Sequence, residues 1–343
     1  MTRRPTDAAG PMAAALHITN GDCTDLPETG LAERILVWFD VLHEGPVPAV
    51  GEDEFRRIRA NFLTGAHKAG ASDFVLRRFV DRDRTLEANR AGTYVLWFEA
   101  DLYDQLQIAQ ILARLAELRV PAERISLICI GEYPGIAHFG GLGELSPEQL
   151  RELATTAACA SLTPAALALA GRAWSALRSP KPQGVGGIAG TRSPELRFLG
   201  EAFDRLSREY PSTRDGLSLT ERRILAAVDA AARSGVDAER RAHRVFLRVA
   251  EREYRPYLGD TWCFASMDRL ARARNPLLVA EPAGPAIDGD TLLALTDTGA
   301  RVLAGHADHV ALNGLDRWIG GVHLVGPDAA WRFDEGTETI KAR

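Results

Sequence analysis

The chain has 343 residues, of which 46% are hydrophobic and 25% charged, and its formal net charge is −5. That is enough chain for two cores rather than one, with a composition ordinary for globular proteins. The acidic balance argues against a general polyanion binder, whose affinity comes from Lys and Arg set against phosphates. No run approaches the roughly 18 apolar residues of a membrane span. Cys23, Cys129, Cys159 and Cys263 lack C-x-x-C spacing, which excludes the common zinc-ribbon and thioredoxin patterns and reads as reduced thiols in a cytoplasmic protein. Residues 1–14 carry Arg3 and Arg4 but no apolar stretch long enough for export, so they read as a disordered tail.

Taken in chain order, four strand-like runs in the first 135 residues each end in a polar, mostly acidic cluster. Leu16 to Thr19 runs into Asn20-Gly21-Asp22, and Ile35 to Phe39 into Asp40 and His43-Glu44-Gly45-Pro46. Tyr94 to Phe98 runs into Glu99, Asp101 and Asp104, and Ile125 to Ile130 into Gly131-Glu132. In one parallel sheet all four clusters emerge at the same edge, where open α/β sheets bind their ligands. Two charged helical stretches, Glu52 to Ala66 and Ser72 to Ala91, form a long crossover between the second and third strands. A helix begins after Asp101, with Ile108, Ile111, Leu112 and Leu115 on one face, and Pro121 stops it. Ser146-Pro147-Glu148-Gln149 is a helix start with a serine cap and proline in the first turn. Another helix runs from Thr163-Pro164 to about Arg178.

The glycine run Gly-Val-Gly-Gly-Ile-Ala-Gly comes after a helix rather than a strand and lacks a Lys-Ser/Thr ending, so it reads as a flexible linker (181–193) rather than a phosphate loop. Beyond it come a helix from Ser193 to about Tyr210, a turn at 211–216, helices opening at Leu219, at Ala238 and at Asp260, strand-like pieces at Leu277 to Ala280 and Thr291 to Leu295, and a closing helix at Thr296-Asp297. Three helices, a hairpin and a closing helix are the order of a winged helix-turn-helix. The fold expected is therefore α/β: a Rossmann-like parallel-sheet domain over 15–180, then a mainly helical, winged helix-turn-helix-like domain over 194–340.

Asn20-Gly21-Asp22, the stretch Trp38 to Pro48 and the stretch Trp97 to Leu106 resemble the bacterial family catalogued as domain of unknown function 1835. Pro211 to Leu217 and Asp316 to Leu324 resemble the uncharacterised domain that usually accompanies it. The resemblance covers nearly the whole chain outside the tail and the linker. It implies architecture and supplies no chemistry.

The residues themselves supply the candidate chemistry. Asp22, Asp40 and Asp101 can ligate a hard divalent cation such as magnesium or manganese, which selects several oxygens. So many carboxylates repel and raise one another's pKa values unless a counter-ion or shared protons relieve them. His43, in a Gly/Pro-bounded loop, and Glu99, at a strand end, can move protons. Asn20, Glu44 and Asp104 at the same edge can contact the substrate, and Arg214 and Arg317 can clamp its anionic group. Each residue has a bland alternative. Asp22 and Asp40 can each cap the next helix or turn, Asp101 can cap the helix that Asp104 begins, His43 can bond backbone, and Arg317 can pair with Asp316 while Trp318 fills a core. The His306 and His309 pair is more simply a helix-end feature than a metal site. Trp318 and Gly320-Gly321 point equally to close packing or ligand contact. No G-x-S-x-G elbow and no G-x-G-x-x-G opening is present, which disfavours serine hydrolase and dinucleotide chemistry.

Two function classes result. One is a metal-assisted hydrolase or transferase acting on a phosphorylated small molecule or nucleotide. The other is a non-enzyme: a ligand-sensing winged-helix regulator or an interaction protein. Against DNA binding, residues 217–305 hold 13 Lys plus Arg against 12 Asp plus Glu, and the third helix opens with Asp260, Trp262, Cys263 and Phe264 rather than with base-reading side chains. The winged helix is thus expected to pack, covering the ligand edge or pairing subunits in a homodimer.

Overall fold

The protein is described from a computed structural model covering residues 12–21, 24–65, 70–137, 139–284 and 286–343. Asp22 and Cys23 lie outside the described residues. The fold is mixed α/β around a five-stranded sheet. Strands β1 (Leu16–Thr19), β2 (Arg34–Val37), β3 (Tyr94–Glu99) and β4 (Ile125–Ile130) are parallel, and β5 (Cys159–Ser161) joins β4 antiparallel, in the order β2-β1-β3-β4-β5. Thr19 sits opposite both Val37 and Trp97, and Glu99 opposite Ile130, so the carboxyl ends form one edge. The chain steps from β1 to β2 on one side and returns through β3 on the other, which places a topological switch point between β1 and β3.

Both faces of the sheet are covered, as the apolar strands require. Along β3 the period-two alternation sends Tyr94, Leu96 and Phe98 to one face and Val95 and Trp97 to the other. The first face packs on α2 (Glu52–Thr64), α3 (Ala71–Ala88), α4 (Leu102–Glu117) and α6 (Pro164–Arg178), and the second on α1 (Leu26–Thr29) and α5 (Pro147–Leu153). Helix α4 is sandwiched between sheet and α6, and so is buried almost all round. Ser146 and Gln149 form the reciprocal capping box that starts α5, and Thr163 caps α6.

The glycine run departs from expectation. It is not an extended linker but α7 (Gln183–Ala189), with Val185 and Ile188 buried and with α8 (Leu199–Ser207) packed against it. Two apolar anchors one helical turn apart outweigh the poor helix propensity of glycine. Helices α9 (Leu219–Arg233), α10 (Ala242–Ala250) and α11 (Asp260–Ala271), the hairpin β6 (Leu278–Glu281) with β7 (Leu292–Leu295), and α12 (Asp297–Leu303) share a separate core built on Ile224, Val228, Val245, Met267 and Leu293. Trp262, at the start of α11, stacks on Phe62 of α2 with ring centroids 5.4 Å apart.

After α13 (His309–Asn313) the chain departs again from the mainly helical reading. Two hairpins, β8 (Asp316–Ile319) with β9 (Val322–Val325) and β10 (Trp331–Asp334) with β11 (Thr339–Ala342), return Ile319, Val322, Leu324 and Phe333 to the core of the first face of the sheet. The β8–β9 turn shows why two glycines stand there. A Cβ on Gly321 would lie 2.1 Å from the Arg178 carbonyl oxygen, and the Gly321 amide donates to Leu177 O at 2.8 Å. Close backbone packing accounts for the pair. No helix among the described residues is long and apolar enough to cross a membrane.

Candidate functional site

The carboxyl edge does gather acids, but it splits them into two groups. Glu99 at the end of β3, Asp101 in the β3–α4 connection and Asp104 in the first turn of α4 bring ligand-capable oxygens within 4.8 Å of one another. Local structure explains the placement. Asp101 is the N-cap of α4, its Oδ1 accepting the Asp104 amide at 3.0 Å, as aspartate at that position favours. Asp104, fully buried, accepts from the Glu99 amide at 2.5 Å and from Asn20 Nδ2 at 2.6 Å, which ties β1, β3 and α4 together. Glu99 Oε1 accepts the Leu142 amide at 2.6 Å. Each carboxylate is therefore held in place by protein donors, while Glu99 and Asp101 also line a small cleft of about 30 Å³, room for an ion or a water.

Burial, with no cationic partner at ion-pair distance among the described residues, controls the charge state of this triad. Desolvation pushes the Asp101 carboxyl up to about 7, against the Asp104 amide that favours its ionised form. Asp104 is held well above the ordinary aspartate range by burial and by the charges of Asp101 and Glu99, and Glu99 is raised chiefly by burial. All three carboxyls are thus shifted toward their protonated forms, the consequence of burying acids side by side.

The cleft also draws on the second half of the chain. Arg255 closes it, donating to Gly131 O at 3.0 Å and pairing with Glu201 at 2.9 Å. A larger groove of about 660 Å³ adjoins, sharing Ile130 and Gly131 as walls and bounded by Tyr133, Glu152, Arg197 and Phe198. Arg197 donates to Cys129 O at 3.1 Å and has no carboxylate at ion-pair distance among the described residues.

The remaining expected residues lie elsewhere. Asp40 is buried in a pair with Arg59 of α2, whose Nε and Nη2 reach it at 3.0 and 2.7 Å while its other donors satisfy Val41, Glu44 and Pro46 carbonyls. Its oxygens serve that guanidinium, not a metal. His43 is buried against Tyr103 and Tyr257 with neither ring nitrogen hydrogen-bonded among the described residues. Burial, reinforced by Arg59, Arg205 and Arg317 over the opposing Glu209, lowers it to about 3. Held neutral by burial, the ring lies away from the acidic cleft, against Tyr103 and Tyr257. The loop holding it depends on Gly45, at φ +72° with the Phe62 ring where a Cβ would be.

Glu44 is buried beside Arg317, 4.0 Å away, and burial raises its pKa. Arg317 itself, 2.6 Å from Glu209, does face the first half of the chain, but as a member of a buried ionic network with Glu209, Glu221 and Glu44. Arg214 is 57% exposed and donates to Leu303 O at 3.3 Å. It belongs to neither group. Arg197 and Arg255, which do reach the acidic edge, carry no local signal in the sequence, since each sits in an irregular stretch whose position only the fold defines. Compared with protein-family models and with curated proteins, the chain finds no match in either.

Proposed function

We propose that the cleft formed by Glu99, Asp101 and Asp104 binds a divalent cation, magnesium or manganese, and that the protein is a metal-assisted hydrolase or transferase acting on a phosphorylated small molecule or nucleotide. The observation that carries this reading is the convergence of the acid oxygens within 4.8 Å at the carboxyl edge of the sheet, beside the switch point. An all-oxygen donor set fits a hard cation. Such an ion supplies charge for a developing phosphoryl oxygen and lowers the pKa of a bound water.

Within this reading Glu99 and Asp101 are ligands. Asp104, whose two oxygens already accept from Asn20 and from the Glu99 amide, holds the pair in register. Arg197 holds the anionic group of a substrate lying in the adjoining groove, which is of ligand size. The Rossmann-like and winged-helix descriptions of the two halves, and kinship with domain of unknown function 1835, belong to the same proposal. So does a packing role for the helical unit, supported by the Trp262 stack on Phe62, which occupies the start of the helix a DNA reader would present.

The test is calorimetric titration of manganese at pH 7.5, with the same measurement on Glu99→Gln and Asp101→Asn. One site is expected, weakened at least about tenfold by either change, because each removes a charged ligand. Binding should strengthen between pH 6 and 8 and release protons, since the ion displaces them from the triad. No saturable binding at millimolar manganese ends the metal reading.

A further inference from the structure

A second cavity, of about 520 Å³, lies between α11, α13 and the start of β8 and shares no lining residue with the acidic cleft or its groove. Its walls mix apolar side chains such as Leu270, Leu312 and Pro327 with charged ones. The acids among them are already engaged. Glu221 Oε2 accepts the Ser218 amide at 2.8 Å and its Oε1 lies 3.9 Å from Arg317, while Asp316 bonds the exposed His323 ring at 2.7 Å. Arg317 is engaged as well, by Glu209.

Two other guanidinium groups on this wall are not matched in that way. Arg269 donates to Ser266 Oγ at 2.7 Å, and Arg274 makes no hydrogen bond or ion pair among the described residues. Neither has a carboxylate at contact distance there. His309 adds a defined donor. Asn313 Oδ1 accepts the Asn275 amide at 2.6 Å, so its Nδ2 is the group 3.1 Å from His309 Nδ1. That assigns Nδ1 as an acceptor and leaves the hydrogen on Nε2, which has no acceptor among the described residues although the residue is buried and lines the cavity.

Unmatched guanidinium forks and an imidazole N–H around a cavity of ligand size complement an oxyanion. Guanidinium takes oxygens in pairs, and donors arriving from α11, from the segment after it and from α13 suit the three outer oxygens of a phosphoryl group better than the two coplanar oxygens of a carboxylate. We infer that this cavity is a binding site for a small phosphorylated molecule, held by Arg269, Arg274 and His309 and separate from the acidic edge.

Calorimetric titration of the full chain with inorganic pyrophosphate, without divalent cation, tests it independently of the metal proposal. Saturable one-site binding is expected, weakened about tenfold by Arg269→Ala and by Arg274→Ala, the loss of a charge-assisted bond. Arg272→Ala, which removes a neighbouring guanidinium paired to Asp268, and Glu99→Gln should leave the affinity unchanged. Succinate should bind at least about tenfold more weakly. The inference is overturned by absence of saturation, by equal losses in the Arg272 and Arg274 variants, by dependence on Glu99, or by succinate binding as tightly. Circular dichroism melts on the same samples check that every variant is folded, and both arginines are exposed side chains whose removal opens no cavity.

Discussion

Single residues at the sheet edge show how one chemical type is put to opposite uses. Asp40 and Asp101 both come after strands, yet Asp40 has a guanidinium in contact while Asp101, among the described residues, accepts from backbone amides and has no cation at ion-pair distance. Removing one partner of a buried pair leaves an uncompensated charge, so Arg59→Met should lower unfolding stability by about 3–5 kcal/mol in urea titrations. Asp40→Asn should also destabilise, while leaving manganese affinity intact. For Asp101 the sign is reversed. Its folded pKa, about 7, lies above the unfolded value of 3.8, so between those values the folded state keeps a proton that the unfolded chain has lost, and stability falls as pH rises through that window. Asn can still cap the helix. Asp101→Asn should therefore stabilise the metal-free protein at pH 8, by about 1 kcal/mol or more, and by much less at pH 4. The acids were legible in the sequence because a polar cluster after an apolar run is a local signal. Their partners were not, since Arg59 sits on a charged amphipathic helix that reads as solvated, and a buried arginine there has no local signature.

Secondary elements divide along the same line between local and tertiary causes. The helices capped at Asp101, Ser146, Thr163, Ser218 and Thr296 are placed within a residue or two by sequence, as are the apolar strands β1 to β4, whereas the short α13, capped by Asp308, is not. Helix α7 is not, because its glycines argue for flexibility and only the buried Val185 and Ile188 argue for order. Its state is testable from both sides. Ile188→Ala should cost about 2–4 kcal/mol, where a solvated linker would show no effect. Gly187→Ala should stabilise by about 0.5–1 kcal/mol, since an added Cβ meets nothing within 4 Å. Strands β8 to β11 escaped the sequence reading because charged or polar residues, Asp316 and Arg317, His323, Arg332 and Asp334, Thr339 and Lys341, interrupt the apolar runs that mark β1 to β4.

At the scale of the whole molecule, the boundary drawn from composition at residue 180 does not match how the apolar core is shared. The cluster on the first face of the sheet takes in Leu199, Phe203 and Tyr210 beyond that boundary, and Ile319, Val322, Leu324 and Phe333 from the end of the chain. The β8–β9 turn locks onto α6 and onto the loop after β2, where Val47 donates to Gly320 O at 2.8 Å. Arg317 meanwhile neutralises Glu209 at the same junction. A fragment of residues 1–180 keeps the sheet and its helices but loses these apolar partners, and each large side chain stripped of its burial forfeits roughly 1.5–3 kcal/mol. Several such losses exceed the whole margin of a typical domain, about 5–15 kcal/mol. The fragment should therefore lack a cooperative thermal transition and bind a hydrophobic dye, while the full chain melts sharply. A fragment that melts cooperatively with native-like near-ultraviolet dichroism would show that the sheet stands alone, and the shared core would then be an interface between independent domains.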